Sequence, residues 1–370
     1  MVPLSPMSGP TPQIAFRSRA VSTMTASVLA LRPLALAPQH SIAPGRTTAT
    51  GRDTVPGRAQ GPSLPPGTRL PAEGTNYQIV RELGRGAAGT VYLARDVALH
   101  RTVAIKVLAG GAEHGATDSG ERFRREARMA AQLVHPNIVP LFAFGESGDA
   151  MYIVMQYVSG GSLAERLRHE SRLSASEVRR VLVDLSLALD HAHRRGVVHR
   201  DVKPENVLLD AESGRAMLVD FGVATRPWWE VPHSDLGRAF GTPAFMSPEQ
   251  ALGDPNVDGR TDVYAIGVLG CAMLAGTLPF AGRDPMAVAA RRLGGSARPL
   301  SELAPEAPAW LVETIECCME PDAERRWPSA LALHDALTNA RSPRAGRRAP
   351  SRERSWLTRT TSSLRRLFAV

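Results

Sequence analysis

Apolar and polar positions along this 370-residue chain fall into three regimes. Residues 1–75 are dominated by Pro, Ser, Thr, Gly, Ala and Arg, with no sustained apolar period, and predict a disordered extension. From Tyr77 the pattern changes to short alternating runs. Tyr77–Leu83 and Thr90–Asp96 predict two strands around a glycine-rich turn, and Thr102–Leu108 a third. Gly110–Gly120 is a flexible connection. Glu121–Leu133 has helical spacing, with Phe123, Ala127, Ala130 and Ala131 on one side. Ile138–Phe144 and Met151–Tyr157 predict two further strands. After Gly161 the spacing is mostly helical, at about 162–169, 174–195, 248–252, 260–276, 284–293, 308–319 and 328–339. A strand-rich part followed by a helix-rich part predicts an α+β domain over 77–337. Its two lobes, about 77–156 and 159–337, would meet at a crevice.

Two segments test membrane and targeting readings. Val263–Gly282 is uncharged and long enough for a span, but it holds four Gly and a Pro, with Arg260 and Asp262 at its head; a buried core helix over about 263–276 is predicted instead. The apolar stretch Met24–Pro38 is broken by Arg32 and Pro33, which argues against a secretory signal. The acid-poor, Arg- and hydroxyl-rich start also suits an organelle transit peptide, as the alternative to a plain extension.

Charge changes the picture more than composition does. The formal net charge is +8, but residues 1–75 carry +5 and residues 341–370 carry +8, which leaves 8 − 5 − 8 = −5 for 76–340. Basicity therefore belongs to the ends, and a nucleic-acid partner is not expected. Three cysteines, Cys271, Cys317 and Cys318, are too few for a secreted framework and have no metal-binding spacing, so a reducing, cytoplasmic setting is expected. Of 44 Lys and Arg only two are Lys, Lys106 and Lys203. An ammonium is a compact point charge and a guanidinium a wide fork, so both sites predict a need for the compact shape.

Both lysines fall in chemical motifs. Gly84-Arg85-Gly86-Ala87-Ala88-Gly89 lies between two predicted strands, which argues against a dinucleotide fold, whose glycines open a helix. A glycine hairpin can bring backbone N–H groups close over phosphates; on its own it is equally a simple turn. Val103-Ala104-Ile105-Lys106 follows, with Ala104 and Lys106 on one strand face. Lys106 can hold ATP phosphates if an acid such as Glu126, on the next predicted helix, positions it. His199-Arg200-Asp201-Val202-Lys203-Pro204-Glu205-Asn206 and Asp220-Phe221-Gly222 add a hydroxyl-proton acceptor in Asp201, a cation in Lys203 and two oxygen donors, Asn206 and Asp220, suited to Mg²⁺. Any one tripeptide is weak; four motifs in order, holding both lysines, are specific.

Over about Tyr77–Leu337 the sequence resembles the eukaryotic-type protein kinases of bacteria, in their serine/threonine branch. The resemblance implies a bilobal fold, a small strand-rich N-lobe and a larger helical C-lobe, that transfers the γ-phosphoryl group of ATP to Ser or Thr of protein substrates. It implies that Leu83, Gly84, Arg85, Gly86, Ala87, Ala88, Gly89 and Val91 form the phosphate lid and the roof of the adenine site. Ala104, Met155, Gln156, Val158 and Leu208 complete the nucleotide pocket, Met155 as gatekeeper and Gln156–Val158 as hinge. Gly241–Glu249 matches the substrate-binding loop, Asp262 the buried acid that supports the catalytic loop, and Arg326 the partner of Glu249. His199 and Phe221 match a stack formed in the active state. Lys203 and Thr242 fit serine/threonine rather than tyrosine specificity.

The sequence also departs from the pattern. Ala88 stands where a larger residue is usual, which implies a looser lid. Ser247 replaces Ala, a change expected to be harmless. The segment Val223–Arg238 holds Trp228 and Trp229, read as core or as a docking plug, and its phosphosite candidates are Thr225 and Ser234. The basic tail 341–370, with Trp356, Leu357, Leu364, Leu367 and Phe368, is read as a solvated tail or as a peripheral contact with an anionic membrane. A homodimer is retained as an option. The alternatives to an active kinase are a pseudokinase scaffold, whose mark would be a lost Lys, Asp or Asn, and a small-molecule phosphotransferase, which generally lacks Ser-Pro-Glu. No mark of either is present.

Overall fold

The structure is a computed structural model. It describes residues 63–72, 75–86, 89–108, 118–147, 150–221, 243–280 and 297–340, all within one compact unit that begins at Pro56. The N-terminal half of that unit is a six-stranded antiparallel sheet. Its strands are β1 (Arg69–Ala72), β2 (Thr75–Gly86), β3 (Gly89–Asp96), β4 (Arg101–Leu108), β5 (Leu141–Ser147) and β6 (Ala150–Gln156), in the order β1-β2-β3-β4-β6-β5. Helix α1 (Asp118–Ala131) lies between β4 and β5 in sequence. β1 and β5, at the two ends of that order, also approach each other, so the sheet curls around its own core. Alternation along the strands supplies that core: Tyr77, Ile79, Tyr92, Val103, Ile105 and Tyr152 are each buried inside it. The opposite faces of β4 and β6 carry Ala104, Ile153 and Met155 into a second cluster with Val158 and Met217.

The C-terminal half is helical. Its elements are α2 (Leu163–His169), α3 (Ala175–His193), a hairpin of β7 (Val207–Leu209) with β8 (Ala216–Leu218), and then α4 (Pro248–Ala251), α5 (Arg260–Ala275), α6 (Leu300–Leu303), α7 (Ala309–Cys318) and α8 (Ala330–Thr338). α3 and α5 form its centre, with Leu185, Leu189, Val263, Ile266, Val268 and Leu269 fully buried. The apolar stretch from Val263 is thus a core helix. It stops at Gly276, whose φ of 68° is left-handed and where a Cβ would sit 2.6 Å from the Ser171 carbonyl oxygen. Among the described residues no helix is long and apolar enough to cross a membrane.

Three expectations need correction. Ordered structure begins before Tyr77: β1 pairs Leu70 with Tyr77 and Arg69 with Gln78, and Leu64 packs on the sheet's inner core. A four-residue strand flanked by Pro65, Pro66 and Gly67 is too short to show a period. The strand expected at Ile138–Phe144 is β5, from Leu141. Pro140 interrupts it, and Ile138 instead bridges Leu218 and is buried in the helical core. Ser247 is not a neutral replacement. It is fully buried, caps α4 in a reciprocal capping box with Gln250, and hydrogen-bonds Thr261 at 2.6 Å. Ser247→Ala is therefore expected to lower unfolding free energy by about 1 kcal/mol, measurable as a shift of the denaturant midpoint at constant slope. The helix expected at 284–293 lies outside the described residues.

Candidate active site

The catalytic loop is built on Asp262, in the first turn of α5, which is 1% exposed. Its Oδ2 accepts from the His199 backbone N–H at 2.9 Å and from His193 Nε2 at 2.7 Å; its Oδ1 accepts from the Arg200 N–H at 2.8 Å. Burial by itself would raise this carboxyl. The hydrogen bond and charge of His193 and the His199 N–H outweigh it and hold the carboxyl below its ordinary value. These bonds also hold Arg200 at φ 66°, a conformation costly for a side chain with a Cβ. His199 is locked as well. Its Nδ1 accepts from the Asp201 N–H at 3.3 Å and its Nε2 donates to the Val219 carbonyl at 3.0 Å, which fixes the neutral tautomer protonated at Nε2. The ring lies 4.6 Å from that of Phe221.

Around this frame the motif residues converge. Lys106 Nζ on β4 lies 2.6 Å from Asp220 Oδ2, although the two are 114 residues apart. Lys203 Nζ lies 2.6 Å from Asp201 Oδ2. Asn206 donates its amide to the Asp201 carbonyl at 2.7 Å and to Asp201 Oδ2 at 3.0 Å. Asp201 Oδ1 takes part in none of these bonds, and the side chain is 34% exposed. Asp220 stands at φ 67°, a second left-handed residue at the centre of the site.

Beside these groups Leu83, Val91, Ala104, Met155, Val158 and Leu208 lie in one apolar cluster, the shape a flat aromatic ring requires. Met217 and Val219 of the β8 edge join it and were not foreseen; Met217 is the cross-strand partner of Leu208, so the pairing register was the missing signal. Gln156 belongs to the strand edge that follows Met155, with its N–H on the Pro140 carbonyl. Behind Met155 a cavity of about 30 Å³ is lined by Ile138, Leu141, Ile153 and Phe221.

The glycine hairpin joins β2 to β3. At Gly84 and Gly86 a Cβ would meet nothing within 4 Å, so the space over their backbone is open. Gly89, at φ +137°, packs where a Cβ would collide with the Val107 carbonyl oxygen. The Arg85 side chain turns to Glu82, with Nη2 2.8 Å from Oε2. Ala87, Ala88, Gly222, Thr225, Trp228, Trp229, Ser234, Gly241, Thr242 and the tail from residue 341 lie outside the described residues, as does the side chain of Glu126.

Below the loop, Arg326 is fully buried and spends all five N–H groups. Two go to the Glu249 carboxylate at 2.7 and 2.8 Å, the others to the carbonyls of Glu320, Arg260 and Pro321. Gln250 donates to the Arg200 carbonyl at 2.9 Å, which ties α4 back to the catalytic loop.

The protein kinase domain family matches residues 77–337, which is most of the chain. The chain belongs to the protein kinase family. Curated relatives of this kinase domain include serine/threonine-protein kinase pkn2 of Myxococcus xanthus, 39% identical over 272 residues (72% of this chain, 32% of that protein). Serine/threonine-protein kinase PrkC of Bacillus subtilis is 35% identical over 255 residues (69% and 39%). Serine/threonine-protein kinase PknJ of Mycobacterium tuberculosis is 39% identical over 259 residues (69% and 43%). The kinase chain thus spans well under half the length of these relatives. Its bilobal α+β architecture is the one the sequence predicted.

The donor set fits a hard divalent ion. Asn206 spends its amide nitrogen on Asp201, which leaves the carbonyl oxygen as its outward end, and Asp220 has one carboxylate oxygen beyond the Lys106 contact. Among the described residues no cluster of three His, Cys, Asp or Glu exists that could cage a metal alone. Two oxygen donors beside a phosphate position is the pattern of Mg²⁺, which keeps few protein ligands.

Proposed function

We propose that this chain is an ATP-dependent serine/threonine protein kinase. The observation that carries the reading is the pairing of Lys106 with Asp220 and of Lys203 and Asn206 with Asp201, tied together by the Val219 N–H on the Asn206 backbone carbonyl, beside an apolar cluster that includes Leu83 and Val91 of the strands flanking the glycine turn. ATP places its adenine between Val91 and Ala104 above and Leu208 and Met217 below, and hydrogen-bonds the backbone of Gln156–Val158. Lys106 orients the α- and β-phosphates; its contact with Asp220 is exchanged for phosphate when nucleotide enters. Asp220 and Asn206 would hold Mg²⁺, which would supply charge neutralisation at the phosphates. Asp201 Oδ1 orients the substrate hydroxyl and accepts its proton. Lys203, held on the other oxygen of Asp201, offsets charge on the transferring γ-phosphoryl group. Such a transfer needs little covalent help, so positioning and electrostatics carry the rate.

Serine/threonine selectivity is supported by Lys203 two residues after Asp201 and by the names of the relatives, which are serine/threonine-protein kinases. The test is transfer of labelled γ-phosphate from ATP·Mg²⁺ to a generic protein mixture, followed by phosphoamino-acid analysis. Phosphoserine and phosphothreonine are the expected products. Nucleotide binding without protein labelling would point to a scaffold, and labelling of small alcohols alone to a small-molecule phosphotransferase. The peripheral membrane contact of the basic tail and a homodimer stay as proposals of the same rank, checked by vesicle co-sedimentation and by sedimentation velocity.

A further inference from the structure

Residues 64–72 precede the part of the chain that the protein kinase domain family matches, yet they are built into the lobe that carries the glycine hairpin. β1 adds a sixth strand to β2. Gly67 donates to the Ile79 carbonyl at 2.8 Å, and Ile79 donates back to the Thr68 carbonyl at 2.9 Å. Three residues farther toward the N-terminus lies a different kind of contact: the Leu64 N–H donates to the Tyr92 hydroxyl at 3.0 Å.

Tyr92 is 1% exposed, with its ring in the sheet's inner core, and it stands opposite Glu82 in the β2–β3 register. Glu82 is the first residue of the bulge that leads into the hairpin. Arg85, inside the hairpin, pairs with Glu82 through Nε and Nη2, and Glu82 first and Tyr92 after it hold its guanidinium above the ordinary value. The Tyr92 oxygen is therefore where the upstream segment meets the hairpin. Beyond this point the β2 arm of the hairpin is open, because neither Gly84 nor Gly86 has a neighbour within Cβ reach. The β3 arm continues onto β4, whereas the Gly84–Gly86 arm of β2 pairs with β3, so Arg85 on that arm is positioned through its contacts at the base.

We propose that segment Leu64–Ala72 is a positioning element for the nucleotide lid, acting through the Tyr92 hydroxyl on Arg85. Tyr92 is a positioning residue, since it touches no substrate. The proposal rests on the reading that this hairpin covers ATP.

The test uses the full chain. Tyr92→Phe removes the shared oxygen and keeps the ring in the core. It is expected to raise the KM for ATP, and the Kd of a fluorescent ATP analogue, about three- to tenfold, the weight of one or two hydrogen bonds, with kcat within about twofold. Leu64→Pro deletes the N–H donor, and Arg85→Met the guanidinium; each is expected to shift KM the same way. The Tyr92→Phe/Arg85→Met double variant is expected to shift it no more than either single one, since all act through one contact. Tyr152→Phe alters another tyrosine of the same core and is expected to leave KM and Kd unchanged. Unchanged KM and Kd in Tyr92→Phe, with only a lower melting temperature, would overturn the proposal. Additive single variants would overturn it too, as would an equal shift from Tyr152→Phe. Analogue binding is read independently of turnover. A chain that binds nucleotide but labels no protein would fail the kinase reading, and the hairpin coupling would still be decided.

Discussion

Asp201→Asn is expected to lower phosphoryl transfer about 10³-fold while nucleotide affinity changes less than about threefold. Asp201 Oδ2 faces two donors, Lys203 Nζ at 2.6 Å and Asn206 Nδ2 at 3.0 Å. An asparagine must turn its carbonyl oxygen toward those donors, because its NH₂ would meet them head-on. That orientation leaves the NH₂ where Oδ1 stood, pointing at the substrate hydroxyl. A proton acceptor becomes a proton donor at the position that matters. Lys203 also loses its counter-charge, which weakens its hold near the γ-phosphate. The nucleotide contacts proposed above run through Lys106, Asp220 and the apolar slot and do not involve Asp201, so binding is expected to survive. Single-turnover rates beside analogue titration separate the two quantities. Retained turnover would remove Asp201 from the mechanism, and lost binding would mean that the loop had collapsed.

The site was legible in the sequence to the extent that its chemistry is carried by short motifs. Lys106, Asp201, Lys203, Asn206 and Asp220 were all identifiable, because each sits at a fixed offset from residues of its own motif. Lys106 is paired with Asp220, and Lys203 and Asn206 with Asp201. The role given to Asp262 as support for the catalytic loop agrees with its three hydrogen bonds at His193, His199 and Arg200. What the sequence hid depends on pairing between distant residues. Met217 enters the apolar slot only because β7 and β8 pair in one register, and a one-residue slip would turn it away. β1 was hidden because a lone buried leucine in a four-residue strand has no period to read. Ser247 looked like an idle substitution because its value lies in a cap and in Thr261, fourteen positions away. Tyr92 gave no sign either: alternation places it in a core, but only the fold places Leu64 and Arg85 at its hydroxyl.

Asp262→Asn should cost about 3 kcal/mol of unfolding free energy or more, and should reduce kcat as well. The substitution keeps the size of the side chain but replaces one acceptor by a donor. If the amide nitrogen takes the place of Oδ1, it faces the Arg200 N–H; if it takes the place of Oδ2, it faces the His199 N–H. Either way one buried backbone N–H of the catalytic loop is left against another donor, and His193 loses a charged partner at 2.7 Å. Arg200 then has less to hold it at φ 66°, and Asp201 follows it in the chain, so the proposed general base shifts together with the strain that is released. The sign of the pH dependence is fixed by the depressed carboxyl. Its contribution is fully present above the ordinary value of 3.8 and is lost as pH falls through the lower folded value. The wild-type chain should therefore lose stability steeply below about pH 4, and the variant, already without that contribution, should show a shallower acid limb. Urea unfolding from pH 3 to pH 8 checks both statements. Equal stability of the two proteins at pH 7, or parallel curves through the acid range, would show that the carboxylate does not hold the catalytic loop.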